Sequence, residues 1–290
     1  MVTLSQSSSI FAALLLSTFT VVAEESALRS VVEAEKSFAA ASAERGIRES
    51  FLQFFAENAI IFAPEPKNGK KFYTYYEDKG RKLTWRPIFA TIARSGELGV
   101  TTGPWELAKS KTEPAPIAFG EFLSIWRKQR DQSWKVIVDL GVDHEKPGDL
   151  RSEPQLLEPN TAPSPADLAG ARQTLQKSDR ALTEQLKDTG PSAIIAAADE
   201  QIHLLRQNRF PAVGREQAAA ALQADTAKIT RSFIDGAMSE AGDLAYRYGS
   251  YTSEQQSGTP RGHYLTIWRT VAPGEWKVLV DLQKQTAEKP

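Results

Sequence analysis

The chain has 290 residues, of which 41% are hydrophobic and 24% are charged, and its formal net charge is −1. This composition is typical of a globular protein and excludes a disordered or fibrous one. A near-neutral chain lacks the basic surface expected of a nucleic-acid-binding protein. Cysteine is absent, which excludes disulfides, thiol nucleophiles and thiolate metal sites. At roughly 150 residues per domain, the length favours two domains.

Residues 1–23 are predicted to be a secretory signal peptide. Their apolar core, Ile10–Ala23, is shorter than the ~20 residues that a membrane-spanning helix needs. The segment lacks the Lys or Arg that usually opens a signal, so an uncleaved anchor and a buried N-terminal helix stay open as alternatives. We expect cleavage after Ala23, a periplasmic or secreted location, and no stable membrane insertion of the mature chain.

A 21-residue stretch occurs twice. GEFLSIWRKQRDQSWKVIVDL at Gly120–Leu140 returns as GHYLTIWRTVAPGEWKVLVDL at Gly262–Leu282, offset by 142 residues. In the ungapped blocks 120–127 and 134–140, 11 of 15 positions are identical between the copies. Such repetition at constant spacing predicts two copies of one structural unit. We place the first copy at residues 28–146, a Pro-rich linker at 147–165 and the second copy at 166–284.

The patterning of the first copy predicts helices followed by strands. The expected helices are Ala27–Ala43, Glu49–Phe55 and a helical turn at Gly69–Tyr76. The expected strands are Ala59–Phe62, Leu83–Ala93, Leu98–Ala108, Ala118–Lys128 and Ser133–Val142. The linker, with five prolines and few apolar residues, is expected to stay extended without order of its own.

The second copy repeats this order. The expected helices are Pro165–Leu186, with Ser164 and Asp167 as N-cap candidates, Ser192–Ala198 and Gly214–Thr226. The expected strands begin with Gln201–Leu205 and Ile229–Ser239, and they end with the repeated hairpin.

The element order and three motifs carry a family likeness. The motifs are AENAIIFAPE at 56–65, SGELG at 95–99 and the repeated Trp-containing hairpin. The chain resembles the ketosteroid isomerase-like, or nuclear transport factor 2-like (SnoaL-like), superfamily, and within it the exported domains of unknown function. The resemblance implies an α+β fold of two cone-shaped domains, each with N-terminal helices packed on a curved antiparallel sheet around a cavity. It also implies that the two copies pair with each other as a pseudo-dimer.

One departure from the family argues against inherited catalysis. Isomerases that the chain resembles place an Asp general base just before a Pro, after the first short strand. Here Ala63 precedes Pro64, and the second copy has Leu205 and Arg206 at the matching place. We therefore expect a non-catalytic protein without a cofactor that holds an apolar or amphipathic small molecule in the cone cavity.

A lyase or isomerase is the alternative, and its best catalytic candidates are His263 and Asp281. Pairing the two tryptophans of each hairpin would place His263 opposite Asp281, and Glu121 opposite Asp139. A carboxylate beside a histidine can hold the imidazole in one tautomer as a base. The simpler interpretation is that each Asp caps the end of a strand or bonds backbone amides or a nearby Arg, with His263 half-exposed at the rim. A structural or assembly role is a third hypothesis.

Seven residues are candidates for contact with a ligand, although core packing is the default for such aromatic side chains. They are Trp85, Glu121, Trp126, Asp139, Arg231, Tyr264 and Trp268. No metal site is expected, because the three histidines (His144, His203 and His263) fall in no ligand spacing.

Overall fold

The computed structural model of the chain describes residues 9–147, 154–159, 167–255 and 258–286, with side chains from residue 27 onward. Residues 1–8 of the predicted signal peptide lie outside the described residues. Residues 9–23 are described only as the backbone of a helix. No helix within the described residues is long and apolar enough to cross a membrane.

Helices followed by an antiparallel sheet form the first domain. Its helices are α1 (Ser9–Arg45), α2 (Ile47–Phe54) and α3 (Gly69–Thr74). Its strands are β1 (Phe55–Phe62), β2 (Pro66–Asn68), β3 (Lys82–Trp85), β4 (Phe89–Ile92), β5 (Leu98–Ala108), β6 (Pro116–Lys128) and β7 (Trp134–His144). The single strand expected at 83–93 is two strands, because Pro87 has no N–H to donate to the ladder.

The second domain follows a short linker strand, β8 (Gln155–Leu157). Its helices are α4 (Leu168–Thr189), α5 (Ser192–Ala197) and α6 (Arg215–Leu222). Its strands are β9 (Ala198–Arg206), β10 (Ala212–Val213), β11 (Lys228–Met238), β12 (Leu244–Glu254), β13 (Arg261–Ala272) and β14 (Glu275–Gln285). The predicted α+β class, with two tandem domains that each place helices before a sheet, is confirmed.

Local sequence signals set the ends of α4. Asp167 is its N-cap, and the carboxylate accepts hydrogen bonds from the backbone N–H groups of Ala169 and Gly170 at 2.8 and 2.9 Å. Gly190 ends the helix with φ of 65°, a conformation that glycine adopts without steric cost. The residues that α4 buries recur every three or four positions and include Leu175, Leu182 and Leu186, as a helix with one apolar face requires.

Each domain has its own sheet. The strand order is β2-β1-β7-β6-β5-β4-β8 in the first, with β3 beside β5, and β10-β9-β14-β13-β12-β11 in the second. In both, the first strand runs parallel to the last one, β1 beside β7 and β9 beside β14, and the remaining long strands form an antiparallel meander.

Part of the linker is ordered, contrary to expectation. Strand β8 pairs in parallel with β4, and the Thr91 hydroxyl donates to the Leu157 carbonyl at 2.9 Å. The edge of β4 offers unpaired backbone groups, which an extended Pro-rich segment can satisfy. Residues 148–153 and 160–166 of the linker lie outside the described residues.

The two sheets pack against each other through the faces turned away from the helices. Buried side chains from both form one core, which includes Leu123, Ile125, Val138, Leu265 and Ile267. Polar contacts also join the domains: Gln207 Nε2 donates to Asp143 Oδ2 at 2.8 Å, and the Arg94 N–H donates to Asp243 Oδ2 at 2.9 Å. The expected intramolecular pairing of the copies is thus present in the structure.

The register of the repeated hairpins differs from the expected one. Trp134 pairs with Lys128 rather than with Trp126, and a bulge follows Ile125. Asp139 consequently lies opposite Ser124, while Asp281 lies opposite Thr266 in the second copy. The expected pairs Glu121–Asp139 and His263–Asp281 are therefore wrong. The turn shifts the pairing by two positions, and the bulge after Ile125 adds one more, and tryptophan matching alone reveals neither shift.

Candidate ligand-binding cavity

The first domain encloses a cavity of about 390 Å³ between its helices and the helix-side face of its sheet. Most of its lining is aromatic or aliphatic, and its polar side chains include Ser124, Asp139 and Lys284. A small-molecule site has this character, an apolar wall with a few placed polar groups. The apolar lining consists of Phe38, Ile47, Phe51, Tyr73, Tyr76, Leu83, Trp85, Trp105, Leu107 and Phe122.

Aromatic contacts hold the wall of the cavity in shape. The Phe38 ring lies edge-on to Trp85 and to Phe51, with centroids 4.7 Å apart in both pairs. The Phe51 ring lies 4.4 Å from that of Tyr73. Since α1, α2, α3 and β3 each supply one of these rings, the wall depends on all four elements, and contacts of this kind add ~1 kcal/mol each beyond simple burial.

A buried carboxylate lies behind this wall. Glu35, on α1, is fully buried and accepts hydrogen bonds from Trp85 Nε1 at 2.5 Å, Trp126 Nε1 at 2.8 Å and Thr101 Oγ1 at 2.5 Å. Burial raises the pKa of Glu35, and the three donors partly offset that rise. Glu35 therefore ties the helix to the sheet, and its lone pairs are largely used by the protein itself.

Asp139 is the carboxyl group that faces the cavity. Burial raises its pKa from 3.8 to about 7, and the nearby charge of Glu35 acts in the same direction. The hydroxyl of Ser124, 3.3 Å away, and the charge of Lys284 partly offset that rise. Near neutral pH this group can thus accept a hydrogen bond as a carboxylate or donate one as an acid.

The second domain contributes Lys284 to this cavity. Its ammonium group crosses the domain interface and donates to the Gly141 carbonyl at 2.7 Å. Residue 141 follows Asp139 by two positions on β7, so the lysine lies beside the cavity without forming an ion pair with the carboxylate among the contacts described. The first-domain cavity is therefore incomplete without the second domain.

In the second domain, two arginines occupy the surroundings of the corresponding aspartate. Asp281 is fully buried, and its carboxylate contacts Arg231 Nη2 at 2.8 Å and Arg206 Nη2 at 2.7 Å. The Thr266 hydroxyl donates to it at 2.9 Å. Burial alone would raise the pKa of Asp281, but the charges of Arg231 and then Arg206 outweigh it, and the pKa lies below its usual value.

Two sequence differences account for this change between the copies. Arg231 takes the place of Trp85 in the repeat, and its guanidinium lies over the Tyr264 ring at 4.4 Å. Arg206 takes the place of Ala63, since Ile61 pairs with Asp139 just as Leu204 pairs with Asp281. The interior of the second cone is thus occupied by an ionic cluster instead of an aromatic cavity.

The other predicted site residues fall in different places. Trp126 lies behind the cavity, where its Nε1 donates to the Glu35 carboxylate. Its counterpart in the second copy, Trp268, is buried near Asp179. Glu121 faces the domain interface, where its carboxylate lies 3.6 Å from His144 Nε2. The structure thus brings Trp85 and Asp139 together at one cavity, and it places Glu121 elsewhere.

His263 and Asp281 lie on opposite faces of the second sheet. His263 faces the first domain, with its Nε2 3.0 Å from Glu65 Oε2 and its ring 5.4 Å from Phe62. Asp281 faces the interior of the second domain. The two side chains therefore cannot act as one catalytic pair.

Sequence reasoning missed Glu35 and Lys284. Glu35 could have been found from the sequence, because it lies in the apolar stripe of α1 between Val31 and Phe38, where a charged residue is unexpected. Asp179 interrupts the stripe of α4 in the same way. Lys284 could not have been found in this way, since it reaches the cavity only through the packing of the domains.

Within the described part of the chain, no three His, Cys, Asp or Glu residues cluster as metal ligands.

Several solved structures are similar to parts of this chain. A ketosteroid isomerase-like protein from Erwinia carotovora atroseptica is 15% identical with a TM-score of 0.35, and the match covers 40% of this chain and 95% of that one. An NTF-2-like protein of unknown function from Shewanella oneidensis is 13% identical with a TM-score of 0.33, covering 39% and 97%. A putative scytalone dehydratase from Novosphingobium aromaticivorans is 14% identical with a TM-score of 0.34, covering 40% and 84%.

Each of these matches spans about 40% of this chain, which is the length of one domain. The helix-then-sheet architecture that the sequence motifs predict is present in both domains. Neither a protein-family model nor a curated protein matches the chain. Since one fold hosts many functions, function has to be argued from the site.

Proposed function

We propose that the first domain binds a small amphipathic molecule in its aromatic cavity, without catalysis, in an exported protein. The observation that carries the proposal is an aromatic-lined cavity of about 390 Å³ with one ionisable acceptor, Asp139, at its polar end. An apolar or aromatic body would lie among Phe38, Phe51 and Trp85. A hydroxyl or amine group of the ligand would donate to Asp139.

The size and character of the cavity support this proposal over a purely structural role. A structural module would fill both cones with its own side chains, whereas only the second cone of the described structure is occupied by an ionic cluster. The partial burial of Asp139 also supports it, because a carboxyl group with a pKa near 7 gains from a hydrogen-bond donor.

Native mass spectrometry of the protein purified from its host tests the proposal, together with a thermal-shift screen of amphipathic amines and alcohols. We expect a bound small molecule, or a rise in Tm for at least one class that is lost in Tyr73→Ala. Tyr75→Ala is the matched control, because Tyr75 lies two residues away and is 86% exposed. Absence of any bound molecule and of any shift would contradict the proposal.

Proton transfer at Asp139 is the second candidate function. A general base works best when its pKa is close to the working pH, and Asp139 meets that condition in an apolar site. Deuterium uptake from D₂O by a molecule recovered from the protein tests it. Uptake with the wild type but not with Asp139→Asn would support catalysis, and equal uptake with both would exclude Asp139 as the base.

A further inference from the structure

The second domain has a cavity of its own, in a different place from the cavity of the first domain. It has a volume of about 520 Å³ and lies between helix α4 and strands β11 and β12. The ionic cluster around Asp281 fills the interior position that corresponds to the first cavity, so the second cavity opens instead along the side of α4.

Positive charge dominates this second cavity. Four arginines line it, namely Arg172, Arg180, Arg231 and Arg247, and Asp179 is the acidic residue among the described residues of the lining. Asp179 already contacts Arg247, with Oδ2 2.7 Å from Nε. Asp281 is shared between Arg231 and Arg206. The lining thus holds four guanidinium groups and one carboxylate, so positive charge is in excess.

Two of these arginines are available to a ligand. Arg172 and Arg180 are exposed and lie two turns apart on one face of α4, with Gln176 between them. Among the described residues, no carboxylate lies within ion-pair distance of either one. Their charges are therefore not neutralised by the protein.

A third arginine has an unused donor. The Nε of Arg231 is buried and has no hydrogen-bond partner among the described residues. A buried donor without an acceptor destabilises the folded state, so an anion with acceptor oxygens would be favoured next to it. The orphaned donor is an observation independent of the excess charge, and both favour the same class of ligand.

The opposite side of the cavity is apolar. Phe233, Met238 and Tyr246 line it, and the guanidinium of Arg247 lies 3.8 Å from the Phe233 ring. Phe233 lies on β11, the edge strand of the sheet, and is 48% exposed. A ligand with an apolar body would cover this ring, whereas an inorganic ion would not.

We propose that this cavity is a second binding site, which takes a small organic anion. The carboxylate or phosphate group of the ligand would lie against Arg172, Arg180 and the unpartnered Nε of Arg231, since guanidinium groups are good donors to both kinds of anion. The apolar part would lie on Phe233 and Tyr246. The two domains then differ in specificity, because the first cavity presents an acid to its ligand and the second presents arginines.

Isothermal titration calorimetry of the full chain with n-octyl phosphate tests this site, and 1-octanol serves as its uncharged match. Arg172→Gln/Arg180→Gln removes two charges from the cavity. Lys177→Gln/Lys187→Gln removes two charges from the same helix outside this cavity and is the control. All four positions lie on the surface side of α4, so every variant is expected to fold.

We expect octyl phosphate to bind the wild type more tightly than octanol does. The arginine variant is expected to lose about tenfold in affinity for octyl phosphate, which corresponds to about 1.4 kcal/mol, and the lysine variant less than twofold. Octanol should bind both variants alike. Equal losses in both variants, equal affinity for the two probes, or no binding of octyl phosphate would each overturn the proposal.

Discussion

Replacing the repeated aspartate by asparagine should change the stability of the protein in opposite directions in the two domains. Asp139→Asn removes a carboxylate whose pKa is raised to about 7, so the folded state binds its proton more tightly than the unfolded chain does. Asp139 therefore contributes stability at low pH, and that contribution is lost as the pH rises from about 4 through about 7. Asn cannot ionise and avoids this loss.

The magnitude follows from the shift of about three pKa units. At 1.36 kcal/mol for each unit, ionisation of Asp139 costs the folded state about 4 kcal/mol at full extent. Asp139 is only partly buried, so solvent screening reduces this cost. Part of the cost is already present at pH 5. We therefore expect Asp139→Asn to gain roughly 2 kcal/mol over the wild type between pH 5 and pH 8.

Asp281→Asn is the matched comparison. It leaves the buried guanidinium groups of Arg206 and Arg231 without their counter-charge, which costs about 3–5 kcal/mol for a buried pair broken on one side. The free energy of unfolding of both variants is measured by urea unfolding at pH 5 and pH 8, monitored by tryptophan fluorescence. Destabilisation of similar size by the two substitutions at pH 8 would refute the electrostatic distinction between the cones.

Three further predictions concern other parts of the molecule. Glu35→Gln should destabilise the chain by about 2 kcal/mol in urea unfolding, because the amide NH₂ would face a Trp or Thr donor; an unchanged midpoint would contradict this. His203 packs 4.1 Å from Phe89, and burial lowers its pKa to about 4, so its contribution is present above about pH 6.5 and is lost as the pH falls towards 4. His203→Leu should therefore reduce the loss of stability between pH 7.5 and pH 5 by about 2 kcal/mol, and an unchanged pH dependence would count against it. N-terminal sequencing of protein made in its host should begin at Glu24, and an intact Met1 would exclude the proposed cleavage.

The sequence was a good guide to the elements and to the repeat. Apolar periodicity located α1 and α4, and the matching hairpins at 120–140 and 262–282 located the last strands of each sheet. These features depend on local spacing, which a single sequence displays directly. The Asp167 cap and the Gly190 stop were predictable for the same reason.

The site was less predictable, because it depends on geometry that the sequence does not display. A bulge after Ile125 changes which residues face each other across the hairpin. Lys284 reaches the first cavity from the other domain. The replacement of Trp85 by Arg231 was visible, yet its partner Arg206 comes from β9, and only the packed sheet brings both to Asp281.

A fluorescence titration with N-phenyl-1-naphthylamine tests the central claim, that the first-domain cavity binds an amphipathic molecule. The probe carries two aromatic groups and one N–H donor, which suit the aromatic wall and Asp139. We predict saturable binding to the wild type and to Tyr75→Ala, with at least tenfold weaker binding to Tyr73→Ala. Equal binding to all three proteins, or no binding to the wild type, would contradict the claim.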